Sequence, residues 1–371
     1  MDCIELLKGL IEINTTNPPG GELAAAEYLA EILTPYGFTC EIQKVAENRA
    51  NLVAVLGTEE GPELMLNGHL DVVPAVGAWE TEPFCLTADK DRLYGRGTAD
   101  MKGGIAAMCE AAIRIAGKQG PQKGRLKLLF VADEECSNLG TLSYLKTHKA
   151  SQYAIIGEPT DLYVAAAHRG VSRDYIDIRG AARHAALPAS ETDSVTRAAR
   201  AILAVEDINR KLQTMTHEVL PPPGISVTML QGYEKDNVVP GAIRLLLDFR
   251  ILPGMSHEQV EDILDAGFRG AGLQDYDKTL HFYMPGGETP ADDPLVTLCI
   301  QERDKLLGGE SSPCPFDASC EQCFFVEQGT KVVICGPGNI GQAHTVGEYT
   351  SEKQVRQAVD LYERIIERIL G

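Results

Sequence analysis

Five short segments of this chain carry residues suited to polar chemistry, and each one ends or follows an apolar, strand-like run. The first, Leu66-Asn-Gly-His69-Leu-Asp71, offers an imidazole and a carboxylate two positions apart. If the strand continues through both, its period of two places them on one face, so that Asp71 can hold one ring nitrogen of His69 while the other binds a metal ion. The second, Tyr94-Gly-Arg-Gly97-Thr-Ala-Asp100, leads into a helical pattern like a phosphate-cradling loop, but it carries Asp100 where a glycine is needed. A carboxylate at that point repels phosphate and suits a cation. The third is Asp133-Glu134-Glu135, beyond the apolar run 126–132. Carboxylates crowded past a buried strand can divide into a metal ligand and a base of raised pKa. The fourth is Glu158 in Ile-Ile-Gly-Glu158-Pro159, and the fifth is Gly336-Pro-Gly338-Asn-Ile-Gly341-Gln-Ala-His344. The literal dinucleotide-loop spacing of this last segment is broken by Pro337 and followed by no helical pattern, which leaves His344 as its reactive group. Together, two histidines and several carboxylates at strand ends match the imidazole- and oxygen-rich shell of a dinuclear zinc hydrolase.

The elements that must position these residues alternate between helical and strand periodicity. Helices are expected over 23–33, 103–116 and 139–147, and strands over 51–56, 63–67, 126–132 and 153–156, the signature of a mainly parallel sheet with helices on its faces. Open sheets of this kind place their sites beyond the carboxyl ends of the strands. From about residue 170 the pattern changes to strand 171–178, helix 194–211, strands 225–230 and 242–251, helix 258–267 and strand 279–284. That β-α-β-β-α-β order is the ferredoxin-like split unit. A Pro-Gly stretch over 285–294 closes it, and the first pattern resumes with a helix from 295, a strand over 331–335 and an amphipathic helix over 352–369. The fold expected is therefore α/β: a mixed sheet flanked by helices over 1–169 and 285–371, interrupted over 170–284 by an α+β dimerisation or lid domain.

Composition narrows the function classes. In 371 residues, 53 acidic side chains outnumber 34 basic ones, for a formal charge of −19. Such a chain has no general footprint for phosphate backbones or anionic lipid, so neither nucleic acid nor membrane is expected as a partner. No apolar run approaches the ~18 residues of a membrane span. The first residues, MDCIELLKGLIEINTTNPPGG, are amphipathic and acidic rather than basic and then greasy, which points to a cytoplasmic location. The ten cysteines are accordingly expected to be reduced. Cys320-Glu-Gln-Cys323, with Cys314 and Cys335 nearby, has a zinc- or redox-like spacing, but it lacks a second tight pair and is read as buried thiols on a helix.

In order and spacing, GHLDVVP, YGRGTADMKGG, DEE, GEPT and GPGNIGQAH followed by EY resemble the zinc aminoacylases and peptidases that include acetylornithine deacetylase, succinyl-diaminopimelate desuccinylase, aminoacylase and glutamate carboxypeptidase. The likeness runs nearly end to end. It implies two Zn²⁺ per subunit, with His69 and Glu158 completing one site, Glu135 and His344 the other, and Asp100 bridging both. Asp71 would orient His69, and Glu134 would act as general acid and base. In the inserted domain, Gly180-Ala-Ala-Arg-His184 resembles the segment whose histidine reaches the partner subunit's site, which implies a homodimer. Asn237 and Arg250 match positions that face substrate, and Gly336 and Gly338 of the fifth motif would border it. Two departures, Ala-Ala-Leu-Pro after His184 and Gly347 before Glu348, bear on substrate rather than on the metal shell.

The resulting expectation is hydrolysis of the amide of an N-acyl amino acid by metal-activated water. A metallo-dipeptidase or carboxypeptidase using the same shell is the alternative, and a silent binding protein would be expected to have lost ligands that this chain keeps. The same donors accept Co²⁺ or Mn²⁺ as well as Zn²⁺.

Overall fold

The computed structural model describes residues 1–371 and divides into two compact units, Met1–Ala167 with Glu288–Gly371, and His168–Gly287.

The larger unit is built on a sheet in the order Thr39–Ala46, Arg49–Gly57, Arg125–Val131, Glu63–His69, Tyr153–Pro159, Lys331–Gly336, Ala165–His168 and Gly287–Glu288. The four strands Arg125–Val131, Glu63–His69, Tyr153–Pro159 and Lys331–Gly336 run parallel. Their near-continuous apolar character follows from burial on both faces. One face packs on the helices Cys3–Glu12, Gly103–Gly117 and Glu352–Leu370 through Leu6, Leu10, Ile105, Met108, Val355 and Tyr362. The other packs Met65, Leu129 and Ile156 against Tyr144 of the Leu139–Thr147 helix and Phe325 of the short Gln322–Glu327 helix. Cys323 lies on that short helix and Cys320 just before it, both buried.

Several features depart from the sequence reading. The sheet begins with an antiparallel pair, Thr39–Ala46 against Arg49–Gly57, whose outer strand was not expected. Its residues are at most half-buried, so it carries no apolar run to read. A small sheet of Thr87–Asp89, Arg92–Tyr94 and Tyr349–Ser351 ties the loop before Asp100 to the segment after His344. The Glu63–His69 strand stops at His69, so Asp71 lies beyond it and the period-of-two argument for a shared face does not apply.

The smaller unit has a four-stranded antiparallel sheet, Gly224–Gln231, Ala242–Ile251, Gly170–Arg179 and Tyr276–Met284 in that order. The helices Ser194–Leu212 and His257–Gly270 complete the ferredoxin-like arrangement. A two-residue ladder, Arg183–His184 with Val238–Val239, was not expected. No helix of the chain is long and apolar enough to cross a membrane.

Candidate metal centre

The four parallel strands end on the same side of the sheet, and their ends deliver the site. His69 is the last residue of its strand and is 1% exposed. Its Nδ1 lies 3.0 Å from the backbone carbonyl of Asp71, which makes Nδ1 a donor and turns Nε2 toward the carboxylates. That Nε2 is 2.9 Å from Asp100 Oδ1 and 3.6 Å from Glu158 Oε1. On the other side of the same carboxylate, His344 Nε2 is 3.3 Å from Asp100 Oδ2 and 3.0 Å from Glu135 Oε1. Asp100 thus presents one oxygen to each imidazole, with Glu158 beside the first pair and Glu135 beside the second.

Electrostatics match this crowding. Burial pushes the carboxyl groups of Glu134 and Glu158 well above the ordinary range, with charge from Glu158 adding to the rise at Glu134 and charge from Asp100 at Glu158. Burial would raise Asp100 too, but its bonds to His344 and His69 hold it below the ordinary range. Hydrogen bonds to Asp100 and Glu135 raise His344 to about 10. Two imidazoles and three carboxylates, with ligating atoms of His69, Asp100 and Glu135 all within 4.8 Å of one another, form a donor set that fits borderline divalent cations. Ligand protons would be released as a cation binds.

The neighbouring glutamates are not equivalent. Glu135 is bonded to His344, whereas no hydrogen bond or ion pair engages the carboxyl group of Glu134. Asp71 meets the His69 ring most closely through its carbonyl. Its carboxylate, with Oδ1 3.6 Å from Nδ1, accepts the backbone N–H groups of Glu134 at 3.1 Å and Glu135 at 3.2 Å and so fixes the turn that carries both.

Gly336 and Gly338 meet backbone needs of the chain itself. A Cβ on Gly336 would lie 2.1 Å from the carbonyl oxygen of Gly157, and Gly338 has φ near +90°. In the smaller unit, His184 and Asn237 are neighbours. His184 Nδ1 accepts from the backbone N–H of Ala186 at 3.1 Å, so Nε2 carries the proton in the neutral ring. Nε2 is 3.2 Å from the Asn237 amide nitrogen, and the Asn237 Oδ1 is buried without a partner. Turning that amide over lets Oδ1 accept the Nε2 proton. Arg250 is not free, because its Nε donates to Asp248 Oδ1 at 2.7 Å.

Glu348 and Glu321 of this region were missed from sequence. Glu348 is fully buried and accepts from the backbone N–H groups of Gly97 (3.0 Å), Ala99 (2.9 Å) and Asp100 (3.1 Å) and from the buried Arg96 guanidinium. It therefore shapes the turn that presents Asp100, and the Glu-Tyr pair after His344 was its only signal. Glu321, between the two cysteines of Cys320-Glu-Gln-Cys323, is 2% exposed, accepts the Thr141 hydroxyl, and is raised by burial to about 7.

Comparison with known proteins adds three findings. Residues 65–368 match peptidase family M20/M25/M40. An acetylornithine deacetylase from Proteus mirabilis (strain HI4320) is 32% identical over 356 residues, covering 93% of this chain and 89% of that one. Among solved structures, aminopeptidase PepT from Bacillus cereus ATCC 10987 aligns with a TM-score of 0.80 at 17% identity, over 100% of this chain and 98% of the other. A Bacillus subtilis protein described as a dinuclear metal-binding peptidase of the M20 family aligns with a TM-score of 0.74 at 16% identity, over 99% and 97%.

Proposed function

This chain belongs to peptidase family M20/M25/M40, and from that premise we propose that it hydrolyses the amide bond of N-acyl amino acids of the acetylornithine or succinyl-diaminopimelate type. The observation that carries the reading is the Asp100 carboxylate held between His69 and His344, with Glu158 on one side and Glu135 on the other. His69 and Glu158 would hold one divalent ion, Glu135 and His344 a second, and Asp100 both; Zn²⁺ suits the donors, and Co²⁺ is the alternative. Bound there, the ions supply an acidified water and positive charge for the substrate carbonyl.

The chain's own residues supply the rest. Glu134, unengaged and of raised pKa, takes the proton from the attacking water and returns it to the departing amine. His184 donates its Nε2 proton to the developing oxyanion of a partner subunit's site, and Asn237 holds that proton, and with it the ring, until substrate arrives. Arg250, with Nε committed to Asp248, offers Nη1 to a substrate carboxylate. A homodimer through the inserted unit is supported by the outer face of helix Ser194–Leu212, where Val195 and Leu203 are exposed. Next to it in support are the sheet edge Gly224–Gln231 with Leu230 and the nearby Tyr233, 83% exposed. Ten unpaired cysteines fit a cytoplasmic location.

A kinetic panel with metal-reconstituted protein tests the reading. N-acetyl and N-succinyl amino acids should be cleaved fastest, and chelator should abolish turnover. Faster cleavage of dipeptides would favour the peptidase alternative, in keeping with the peptidases among the structural neighbours. No cleavage of any amide by the metal-loaded protein would overturn both.

A further inference from the structure

The turn that carries Glu134 and Glu135 is tied down from an unexpected place, the loop after the first helix. Asn17 is 3% exposed, and its amide nitrogen donates to Asp71 Oδ2 at 2.8 Å and to Asp133 Oδ1 at 2.9 Å. An amide NH₂ has two protons, and both are used. The loop is in turn pinned on the segment that follows His69. The Thr15 hydroxyl donates to the Leu70 carbonyl at 2.6 Å, Val72 N–H to the Thr15 carbonyl at 3.2 Å, and Asn17 N–H to the Val72 carbonyl at 2.9 Å. Asn17 therefore works as an outgrowth of the His69 strand end, reaching across to the end of the neighbouring Arg125–Val131 strand.

What it reaches is a backbone that needs holding. Asp133 has φ near +71°, a left-handed conformation that a non-glycine residue keeps only when its surroundings impose it. Its Oδ1 also meets Arg49 Nη1 at 2.7 Å, and Arg49 is clamped through Nε by the buried Glu22 at 3.0 Å. Its Oδ2 accepts the Leu139 N–H at 3.3 Å and the Ser137 hydroxyl. Arg49 and Glu22 anchor Asp133 to the sheet and the second helix. Asn17 alone joins Asp133 to Asp71, the carboxylate that receives the N–H groups of Glu134 and Glu135.

We propose that Asn17 is a positioning residue for the general base: its amide, bridging Asp71 and Asp133, sets where Glu134 sits relative to His69. The role is specific to an uncharged double donor of this length. Aspartate has the same shape but adds a third carboxylate in place of two donors, and alanine leaves both carboxylates without the bridge.

This inference rests on Glu134 being the base, so the test is a double-mutant cycle. Asn17→Ala and the isosteric Asn17→Asp, metal-loaded, should each lose roughly 10²-fold in kcat, the loss associated with a misplacement of about 1 Å, while KM stays within about threefold and metal content is unchanged. Asn17→Ala combined with Glu134→Gln should be no slower than Glu134→Gln alone, because a misplaced base that is already absent costs nothing more. Wild-type kcat in Asn17→Asp, losses that multiply in the double variant, or a kcat loss that only tracks lost metal or lost folded protein would overturn the proposal. If Glu134→Gln itself retained full turnover, the failure would lie with the proposed function instead.

Discussion

The strand-end cluster of the larger unit and the His184–Asn237 pair of the smaller one are both expected to serve one reaction, yet they are built in opposite ways. His69, Asp100 and Glu158 are buried, and each is locked by other residues of the same cluster. His184 is exposed, sits on a two-residue ladder, and has one side-chain neighbour, Asn237. The difference teaches that a metal shell must exist before substrate arrives, because its like charges are tolerable only when held in place, whereas an oxyanion donor is needed only where charge develops. The metal ligands of the first region and the residues that brace them should therefore answer to mutation mainly in stability and metal content, and His184 mainly in rate.

The largest effect should come from the buried region. Glu348→Ala leaves three backbone N–H groups and the Arg96 guanidinium without their acceptor, so denaturant unfolding should show a loss of about 3–5 kcal/mol, as for a broken buried pair. An unchanged midpoint would blur the contrast between the regions. His184→Ala should behave in the opposite way, with kcat lower by about 10²–10³, while stability moves by less than ~0.5 kcal/mol, as is usual for surface changes. Mixing His184→Ala with Glu134→Ala should restore activity, since one site of each heterodimer keeps Glu134 and receives an intact His184. No recovery despite verified subunit exchange would place the histidine's action within its own subunit.

The smallest effect is a pH dependence. Glu321 is raised by burial from its ordinary 4.5 to about 7. The folded state thus holds a proton that the unfolded state has already released, so this group's contribution to stability is complete below about 4.5 and is lost as pH rises through about 7. Glu321→Gln should flatten the thermal-midpoint profile over that window. An unaltered profile would mean that the carboxyl group is ionised in the fold at lower pH.

The sequence was most readable where local pattern and site coincide. The four parallel strands are apolar runs because both faces are buried, and in three of them polar residues stand at or just past the strand end, so His69, Glu134, Glu135 and Glu158 could be picked out along with their surroundings. The Leu139–Thr147 helix was placed to the residue. What escaped depends on pairings distant along the chain. The Thr39–Ala46 strand is an outer strand with little apolar content, and the Tyr349–Ser351 strand exists only by pairing with Arg92–Tyr94. Asn17 and Glu348 act on partners 54 and some 250 positions away, and an Asn-Pro-Pro-Gly run or a Glu-Tyr pair does not announce such partners. Asp71 shows the limit of periodicity: the strand ends before it, and the imidazole meets its carbonyl at 3.0 Å and its carboxylate at 3.6 Å.

Metal content measured beside turnover in Glu134→Gln and Glu135→Gln most directly probes the division of labour between the adjacent glutamates. Glu134→Gln should keep its full complement of metal and lose roughly 10²–10⁴ in kcat, whereas Glu135→Gln should lose metal from the His344 side. Equal metal loss in the two variants, or wild-type turnover in Glu134→Gln, would contradict that division.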